Sequence, residues 1–182
     1  MSKGRASFKV VLLGDARVGK TSIRRNYLGE SFKENYMVTL GADFAIKRLG
    51  TDVIQIWDLA GQPVYKAVRS GYYKGAQGAI FTFDITRPDT FSNVPKWIDE
   101  MVGVSERLVP SILVGNKADL RDSTSNPVSV EDASNYAKQL TDWSGFKVPY
   151  IESSALTGYN IDDIFASLIR EIEILNESQQ GQ

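Results

Sequence analysis

The chain has 182 residues, 42% of them hydrophobic, and its 21 basic and 22 acidic side chains nearly cancel. Such a chain can build one domain with a full hydrophobic core, and the lack of a basic excess argues against nucleic acid as its main partner. It contains no cysteine and no histidine, which excludes disulfides, thiol nucleophiles, Cys/His zinc sites and catalysis by an imidazole base.

Signals for membranes or export are also missing from the sequence. No apolar stretch approaches the roughly 20 residues of a membrane span, and the opening residues, MSKGRAS, lack the apolar core of a signal peptide. Without cysteine, the C-terminus offers no prenylation site. We therefore expect a cytoplasmic protein that reaches membranes only peripherally, through partners.

Six short segments have the composition of β-strands. Most are apolar and rich in β-branched residues, as expected of parallel strands that are covered on both faces. Two of them alternate apolar and polar residues around Gly50, which predicts an antiparallel hairpin with one solvated face. The predicted strands are 8–13, 44–49, 53–57, 78–83, 111–114 and 150–153.

Helical segments separate these strands. Pro95 suits the first turn of a helix that Asn93 or a neighbour caps, Ser129 and Asp132 resemble a capping box, and Asn160 precedes a helix with an apolar stripe. The predicted helices are 20–28, 95–104, the residues after 129 and 161–175. This alternation predicts a largely parallel sheet with helices on both faces, and ligands then bind beyond the carboxyl ends of the strands.

Residues 14–21, which we call the phosphate loop, match the pattern G-x-x-x-x-G-K-[ST] between the first predicted strand and helix. The glycines let the backbone wrap closely, so that N–H groups and the helix N-terminus face anionic oxygens. Lys20 is predicted to neutralise the terminal phosphates and Thr21 to ligate Mg²⁺. The phosphate-binding candidates are Asp15, Ala16, Arg17, Val18, Gly19, Lys20, Thr21 and Ser22.

Residues 116–119, which we call the guanine loop, follow a predicted core strand and match the pattern N-K-x-D. The Asp119 carboxylate only accepts hydrogen bonds, so it suits the N1–H and amino donors of guanine and is mismatched against adenine. Lys117 is expected to lay its aliphatic stem on the ring, and Asn116 to tie loops together. The two loops together predict a guanine-nucleotide site.

Residues 57–62 resemble the D-x-x-G-Q segment of the Ras superfamily of small GTPases. The resemblance implies that Asp58 holds Mg²⁺ through water, that Gly61 donates its N–H to the terminal phosphate, and that Gln62 orients the attacking water. It also implies that Thr39 reaches both Mg²⁺ and the terminal phosphate. The catalytic candidates are therefore Gln62, Lys20 and Thr39.

Two further segments carry the resemblance around the base. Phe32 aligns with the aromatic residue that covers the guanine edge, with a buried loop anchor as the alternative role. Ser154, Ala155 and Leu156 resemble the end of the family's E-x-S-A-K segment, whose alanine offers its backbone N–H to guanine O6. Leu156 stands where the family has lysine, which should alter packing on the base but spare specificity.

The resemblance covers residues 8–174 and is closest to the Rab branch, on segments 39–44, 56–58 and 70–76. It implies a P-loop NTPase fold of the Ras type: an α/β three-layer sandwich whose six-stranded sheet is mostly parallel, with one antiparallel edge hairpin and about five helices. The expected unit is a single GTP-binding domain over residues 1–182, with flexible tails at 1–6 and 176–182. Phe44, Trp57 and Tyr72 match the aromatic trio that effectors read in Rab proteins; alternatively, the rings merely cover the sheet.

The resemblance implies a molecular switch that binds GTP or GDP with Mg²⁺ and hydrolyses GTP, a monomer that effector, exchange-factor and GTPase-activating proteins recognise. Both switch loops should hold their shape only while the terminal phosphate and the metal supply contacts. Ala16 and Pro63 depart from the family pattern, so a nucleotide-binding scaffold with little turnover is the main alternative. An ATP-dependent P-loop kinase is a third, and would leave Asp119 without a role. Arg17 is either a built-in arginine finger or a solvent-facing side chain.

Overall fold

The computed structural model describes residues 6–30 and 39–180. Phe32, the candidate for the guanine edge, lies outside these residues. The strands are β1 (Ser7–Leu13), β2 (Ala42–Leu49), β3 (Asp52–Leu59), β4 (Gly78–Asp84), β5 (Ser111–Asn116) and β6 (Tyr150–Ser153). The α-helices are α1 (Lys20–Tyr27), α2 (Lys66–Tyr73), α3 (Pro88–Ser92), α4 (Val94–Ser105), α5 (Val130–Ser144) and α6 (Ile161–Gln180), and short 3₁₀ turns span Pro63–Tyr65 and Ala118–Ser123.

The strands form a six-stranded sheet, across the part of the chain described, in the order β2-β3-β1-β4-β5-β6. β2 and β3 pair antiparallel through a tight turn in which Gly50 has a φ of 63°, and all other neighbouring strands are parallel. The predicted edge hairpin on a mostly parallel sheet is therefore confirmed. β4 and β5 are buried along their whole length. In the edge strand β2 the expected alternation of buried apolar and solvated polar residues does not hold, because the apolar residues Phe44 and Ile46 are exposed.

Two hydrophobic clusters, one on each face of the sheet, hold the layers together. One contains Phe81 and Phe83 of β4 with Met101 of α4, and the other packs Phe165 and Leu168 of α6 against the opposite face. Parallel strands need such cover on both faces because neither face is solvated. The three-layer α/β sandwich is thereby confirmed.

The predicted helix starts are right, but only one of the predicted caps forms as expected. The Ser129 hydroxyl accepts the Asp132 N–H at 2.9 Å and caps α5. Asn93 and Asn160 precede α4 and α6, yet their side-chain amides donate instead to Asp15 Oδ2 and to the Glu152 carbonyl, each at 2.8 Å. A local cap and a distant acceptor compete for the same side chain, and at these two positions the tertiary partner wins.

Three details differ from the sequence expectations. The described residues contain six α-helices rather than about five, because Pro88–Ser92 forms a short helix of its own before α4. The expected tail from residue 176 is instead helical as far as Gln180, since polar residues such as Glu and Gln are good helix formers on an exposed surface. Ala6, also assigned to a tail, donates its N–H to Asp52 Oδ1 at 2.9 Å and so is tied to the sheet.

Among the described helices, none has the length and apolar character needed to cross a bilayer.

Candidate nucleotide-binding site

The predicted phosphate and base residues gather at one edge of the sheet. The phosphate loop follows β1, Asp58 lies near the end of β3, and the guanine loop begins at the end of β5. Ser154 follows β6 directly. Because the carboxyl ends of parallel strands share an edge, segments far apart in sequence form one concave site there.

The phosphate loop requires glycine at two positions. Gly14 and Gly19 have φ values of 140° and 101°, a region that residues with a Cβ rarely enter. A Cβ on Gly14 would lie 2.0 Å from the Thr82 carbonyl oxygen, and one on Gly19 would lie 2.1 Å from Asn116 Nδ2. Gly19 immediately precedes α1, so the tight backbone delivers the loop to a helix N-terminus, where anions bind favourably.

Lys20 lies inside this loop rather than in solvent. Its Nζ donates to the carbonyl oxygens of Gly14 at 2.7 Å and Asp15 at 2.8 Å. Burial lowers the pKa of Lys20 from 10.5 to about 8, although the nearby Asp58 and Asp15 carboxylates act in the opposite direction. A buried ammonium whose charge is disfavoured by its burial is suited to an incoming anion such as a phosphate.

Three oxygen-bearing side chains converge beside Lys20. Thr21 Oγ1 donates to Asp58 Oδ2 at 2.5 Å and lies 3.1 Å from Thr39 Oγ1. Asp58 is fully buried, its Oδ1 has no hydrogen-bond partner, and burial raises its pKa. Among the described residues, no group of three or more His, Cys, Asp or Glu side chains could hold a metal. A metal at this cluster would take the two threonine hydroxyls as protein ligands, with water and phosphate oxygens as its remaining ligands and the Asp58 carboxylate able to accept from one of those waters.

Gly61 lies against the phosphate loop, and Gln62 follows it directly. A Cβ on Gly61 would lie 2.4 Å from the Ala16 backbone nitrogen, so the two backbones touch and glycine is required there as well. Gln62 Oε1 is buried and has no hydrogen-bond partner in the structure. Pro63 begins the 3₁₀ turn directly after Gln62, a position that suits its fixed φ.

The side chains of the phosphate loop do not all face the space that the loop encloses. The Asp15 carboxylate points to α4, where it accepts hydrogen bonds from Asn93 Nδ2 and Trp97 Nε1, each at 2.8 Å. Only its backbone is therefore left as a phosphate contact. Arg17 is exposed, with a φ of 66°, on the outer turn of the loop. The Ala16 carbonyl accepts a hydrogen bond from Arg87 at 3.2 Å, a contact that the sequence analysis missed.

Asn116 connects three loops, as its predicted role required. Its Nδ2 donates to the Val18 carbonyl at 2.8 Å, and its Oδ1 accepts the Ala155 N–H at 3.2 Å and the Ser153 hydroxyl at 3.3 Å. Asp119 is exposed, and its carboxylate accepts the Ser154 hydroxyl at 2.5 Å. The Ala155 N–H expected at guanine O6 thus already has an acceptor inside the protein. Leu156 is 53% exposed beside this loop.

Further charged residues support the guanine loop and were missed from the sequence. Asp84 is buried at the end of β4, and its Oδ2 lies 2.6 Å from the Lys117 ammonium. Arg121 forms an ion pair with Glu152, which joins the 3₁₀ turn after the guanine loop to β6. A carboxylate at the end of an apolar strand is the signal that could have identified Asp84, because buried charges need partners.

The three rings of the predicted effector surface are in contact. The Phe44 and Trp57 ring centroids lie 4.5 Å apart, and those of Trp57 and Tyr72 lie 5.0 Å apart. Four further apolar side chains from these segments are exposed, namely Leu40, Ile46, Val64 and Val68. Exposed apolar area of this kind is typical of a protein-binding site.

Comparison with known proteins agrees with this geometry. The Ras family model matches residues 9–174. Ras-related protein RABA1b of Arabidopsis thaliana is 37% identical over 177 residues, which cover 95% of this chain and 78% of the relative. Ras-related protein Rab-1D of Dictyostelium discoideum is 38% identical over 170 residues (91% and 79%), and Ras-related protein Rab11D of Nicotiana tabacum is 37% identical over 169 residues (91% and 72%). The chain therefore belongs to the Ras family, is similar to its Rab members, and is a small GTPase that acts as a molecular switch.

Proposed function

We propose that this GTPase binds GTP and GDP together with Mg²⁺ at the edge of the sheet, with residue roles that follow its geometry. The observation that carries the proposal is the cluster of Thr21, Thr39 and Asp58 beside the buried ammonium of Lys20. Mg²⁺ prefers oxygen ligands, and the unpartnered Oδ1 of Asp58 supports an ion or its water at this position. Thr21 and Thr39 hold the metal directly and Asp58 holds it through water.

The phosphates lie over the backbone of residues 15–22 and are neutralised by Lys20. Mg²⁺, when bound, offsets the charge that the phosphate oxygens carry and develop. Gly61 supports its assigned N–H contact with the terminal phosphate because its backbone already touches Ala16 of the phosphate loop. Gln62 orients the attacking water, a role supported by its unpartnered side-chain oxygen.

The base is recognised at the other end of the site by Asp119, with Lys117 and Leu156 beside the ring. The Asp119 carboxylate accepts the guanine N1–H and amino protons, and adenine would leave it unpaired. The Ser154 hydroxyl already orients this carboxylate. For the Ala155 N–H to reach guanine O6 it must share or leave the Asn116 oxygen, since it donates to that oxygen in the protein alone.

Single-turnover hydrolysis of bound GTP with Mg²⁺ tests these roles, with ATP run in parallel. We expect slow loss of GTP in the parent chain and no turnover of ATP. Gln62→Leu should lower the rate at least about tenfold, because misplacement of a reacting group by about 1 Å can cost about 100-fold. GTP that is bound but equally stable in both proteins would contradict the role of Gln62 and favour the scaffold. Turnover of ATP would contradict the role of Asp119.

We also propose that the chain is a single GTP-binding domain and a monomer, and that it is cytoplasmic and reaches membranes peripherally through partners. One sheet with a core on each face supports a single domain. Its partners are effector, exchange-factor and GTPase-activating proteins, and the contiguous rings of Phe44, Trp57 and Tyr72 support an effector surface. The exposed apolar side chains of Leu40 and Val64, 74% and 78% exposed, are further candidates for partner contact.

A further inference from the structure

Arg69 on α2 is a buried charge that none of the proposed roles uses. Its side chain is only 2% exposed, and it is the largest fully buried side chain among the described residues. Nε and Nη2 donate to the two carboxyl oxygens of Glu100 at 2.8 and 2.9 Å. Nη1 donates to two backbone carbonyl oxygens, of Ala60 at 2.8 Å and of Gln62 at 2.7 Å.

These two carbonyls flank Gly61. The Ala60 carbonyl belongs to the same planar peptide unit as the Gly61 N–H, and in a trans peptide the two groups point in opposite directions. A donor that fixes this carbonyl therefore fixes the direction of the N–H proposed to meet the terminal phosphate. The Gln62 carbonyl anchors the backbone that carries the proposed water-orienting side chain.

The opposite end of Arg69 is held by α4, which also holds the phosphate loop. Glu100 accepts a further hydrogen bond from the Tyr73 hydroxyl at 2.5 Å. One turn earlier in α4, the Trp97 ring lies 4.6 Å from the Arg69 guanidinium. The same ring donates its Nε1–H to Asp15 in the phosphate loop at 2.8 Å. One helix thus sets the distance between the phosphate loop and residues 60–62.

We propose that Arg69 is a positioning residue for GTP hydrolysis, which holds the Gly61 N–H and the Gln62 backbone in register with the phosphate loop. The inference rests on the proposed roles of Gly61 and Gln62. Lysine cannot replace it, because the three N–H donors of an ammonium lie on one nitrogen. The planar guanidinium has donors on three nitrogens, and these meet a carboxylate and two carbonyls at once. Misplacement of a reacting group by about 1 Å can lower a rate about 100-fold.

The test compares Arg69→Lys and Glu100→Gln with the parent chain, and Arg170→Lys, an exposed arginine on α6, is the matched control. For each protein the single-turnover rate of bound GTP with Mg²⁺ is measured together with the dissociation constant for GDP. We expect Arg69→Lys to lower the rate about 10- to 100-fold and Glu100→Gln to lower it less. GDP affinity should stay within about threefold in all variants, because GDP lacks the phosphate that Gly61 meets.

Each outcome decides the proposal. An unchanged rate in Arg69→Lys would overturn it, and so would a loss of GDP affinity as large as the loss of rate, which indicates a structural role alone. If Arg69→Lys does not fold, Glu100→Gln carries the test, since it keeps Arg69 and both carbonyl contacts. A parent chain that binds GTP without hydrolysing it would refute the proposed reaction as well, and is recognisable because no variant is needed to see it.

Discussion

Two buried arginines near the proposed phosphate site, Arg24 and Arg69, contact carboxylates, but only Arg69 also contacts the backbone of a loop. Arg24 on α1 donates to Asp43 Oδ2 at 2.5 Å, its Nε has no partner, and the Asp43 side chain is 52% exposed. Arg69 makes a two-point contact with Glu100, whose side chain is 11% exposed, and also donates to two backbone carbonyls. The Arg24 pair therefore connects α1 to β2, whereas Arg69 fixes the backbone of residues 60–62.

The difference follows from the backbone hydrogen bonds that each segment makes without its arginine. Asp43 lies in β2, whose ladder with β3 fixes the backbone without help from Arg24. Residues 60–62 lie beyond the end of β3, where the Ala60 N–H still donates to the Gly41 carbonyl at 2.9 Å. Their carbonyls lie outside the strand ladder, and Arg69 supplies a side-chain donor to those of Ala60 and Gln62.

The comparison refines the expectation that both switch loops depend on the terminal phosphate and the metal. Thr39 lies two residues before Gly41, and its hydroxyl contacts the Thr21 hydroxyl at the proposed metal site. Residues 60–62 are instead held by Arg69 and α4, through contacts that involve no nucleotide.

Arg69→Leu should cause the largest loss in the free energy of unfolding. It removes the arginine partner of the Glu100 carboxylate and the Arg69 hydrogen bonds to the Ala60 and Gln62 carbonyls, and removal of one member of a buried pair costs about 3–5 kcal/mol. Urea unfolding of the parent chain, the variant and Asp99→Ala, an exposed position beside Glu100, measures the loss. A variant as stable as the Asp99→Ala control would show that the network contributes little to folding.

Arg24→Leu should have a much smaller effect, although Arg24 is almost as buried as Arg69. Asp43 keeps its hydration after the change, and an apolar side chain replaces a guanidinium whose Nε has no partner. Replacing a poorly satisfied buried charge with a hydrophobic residue is often neutral or stabilising, so we expect a change within about 1 kcal/mol in the same urea experiment. A loss as large as that of Arg69→Leu would mean that the two arginines are equivalent.

The smallest expected effect is on acid stability. Burial acts to raise the pKa of Glu100, but hydrogen bonds from Arg69 and Tyr73 outweigh it and hold this pKa below its usual 4.5. Because the folded pKa is the lower one, the contribution of Glu100 is complete above pH 4.5 and is lost as the pH falls through the folded value. Glu100→Gln should therefore lose less stability than the parent chain when urea unfolding is repeated at pH 5 and about one unit below 4.5. Parallel losses in the two proteins would contradict this assignment.

The sequence by itself determined the strands, the edge hairpin, the phosphate and guanine loops and the family. These features depend on local chemistry that short segments express: β-branched apolar runs, glycines where the backbone must turn or approach closely, and a carboxylate after a core strand. The caps predicted at Asn93 and Asn160 did not form. Both side chains had local and distant partners available, and only tertiary packing selected between them.

Only the tertiary structure decided how the loops are supported. Nothing near Arg69 in the sequence indicates that it will be buried, since its partner Glu100 lies 31 residues away and its carbonyl contacts precede it. The same holds for Asp15, whose carboxylate turned from the phosphate side to Trp97 on α4. Local patterns specify which residues can bind a nucleotide, whereas pairing of buried charges depends on distances that exist only after the helices have packed on the sheet.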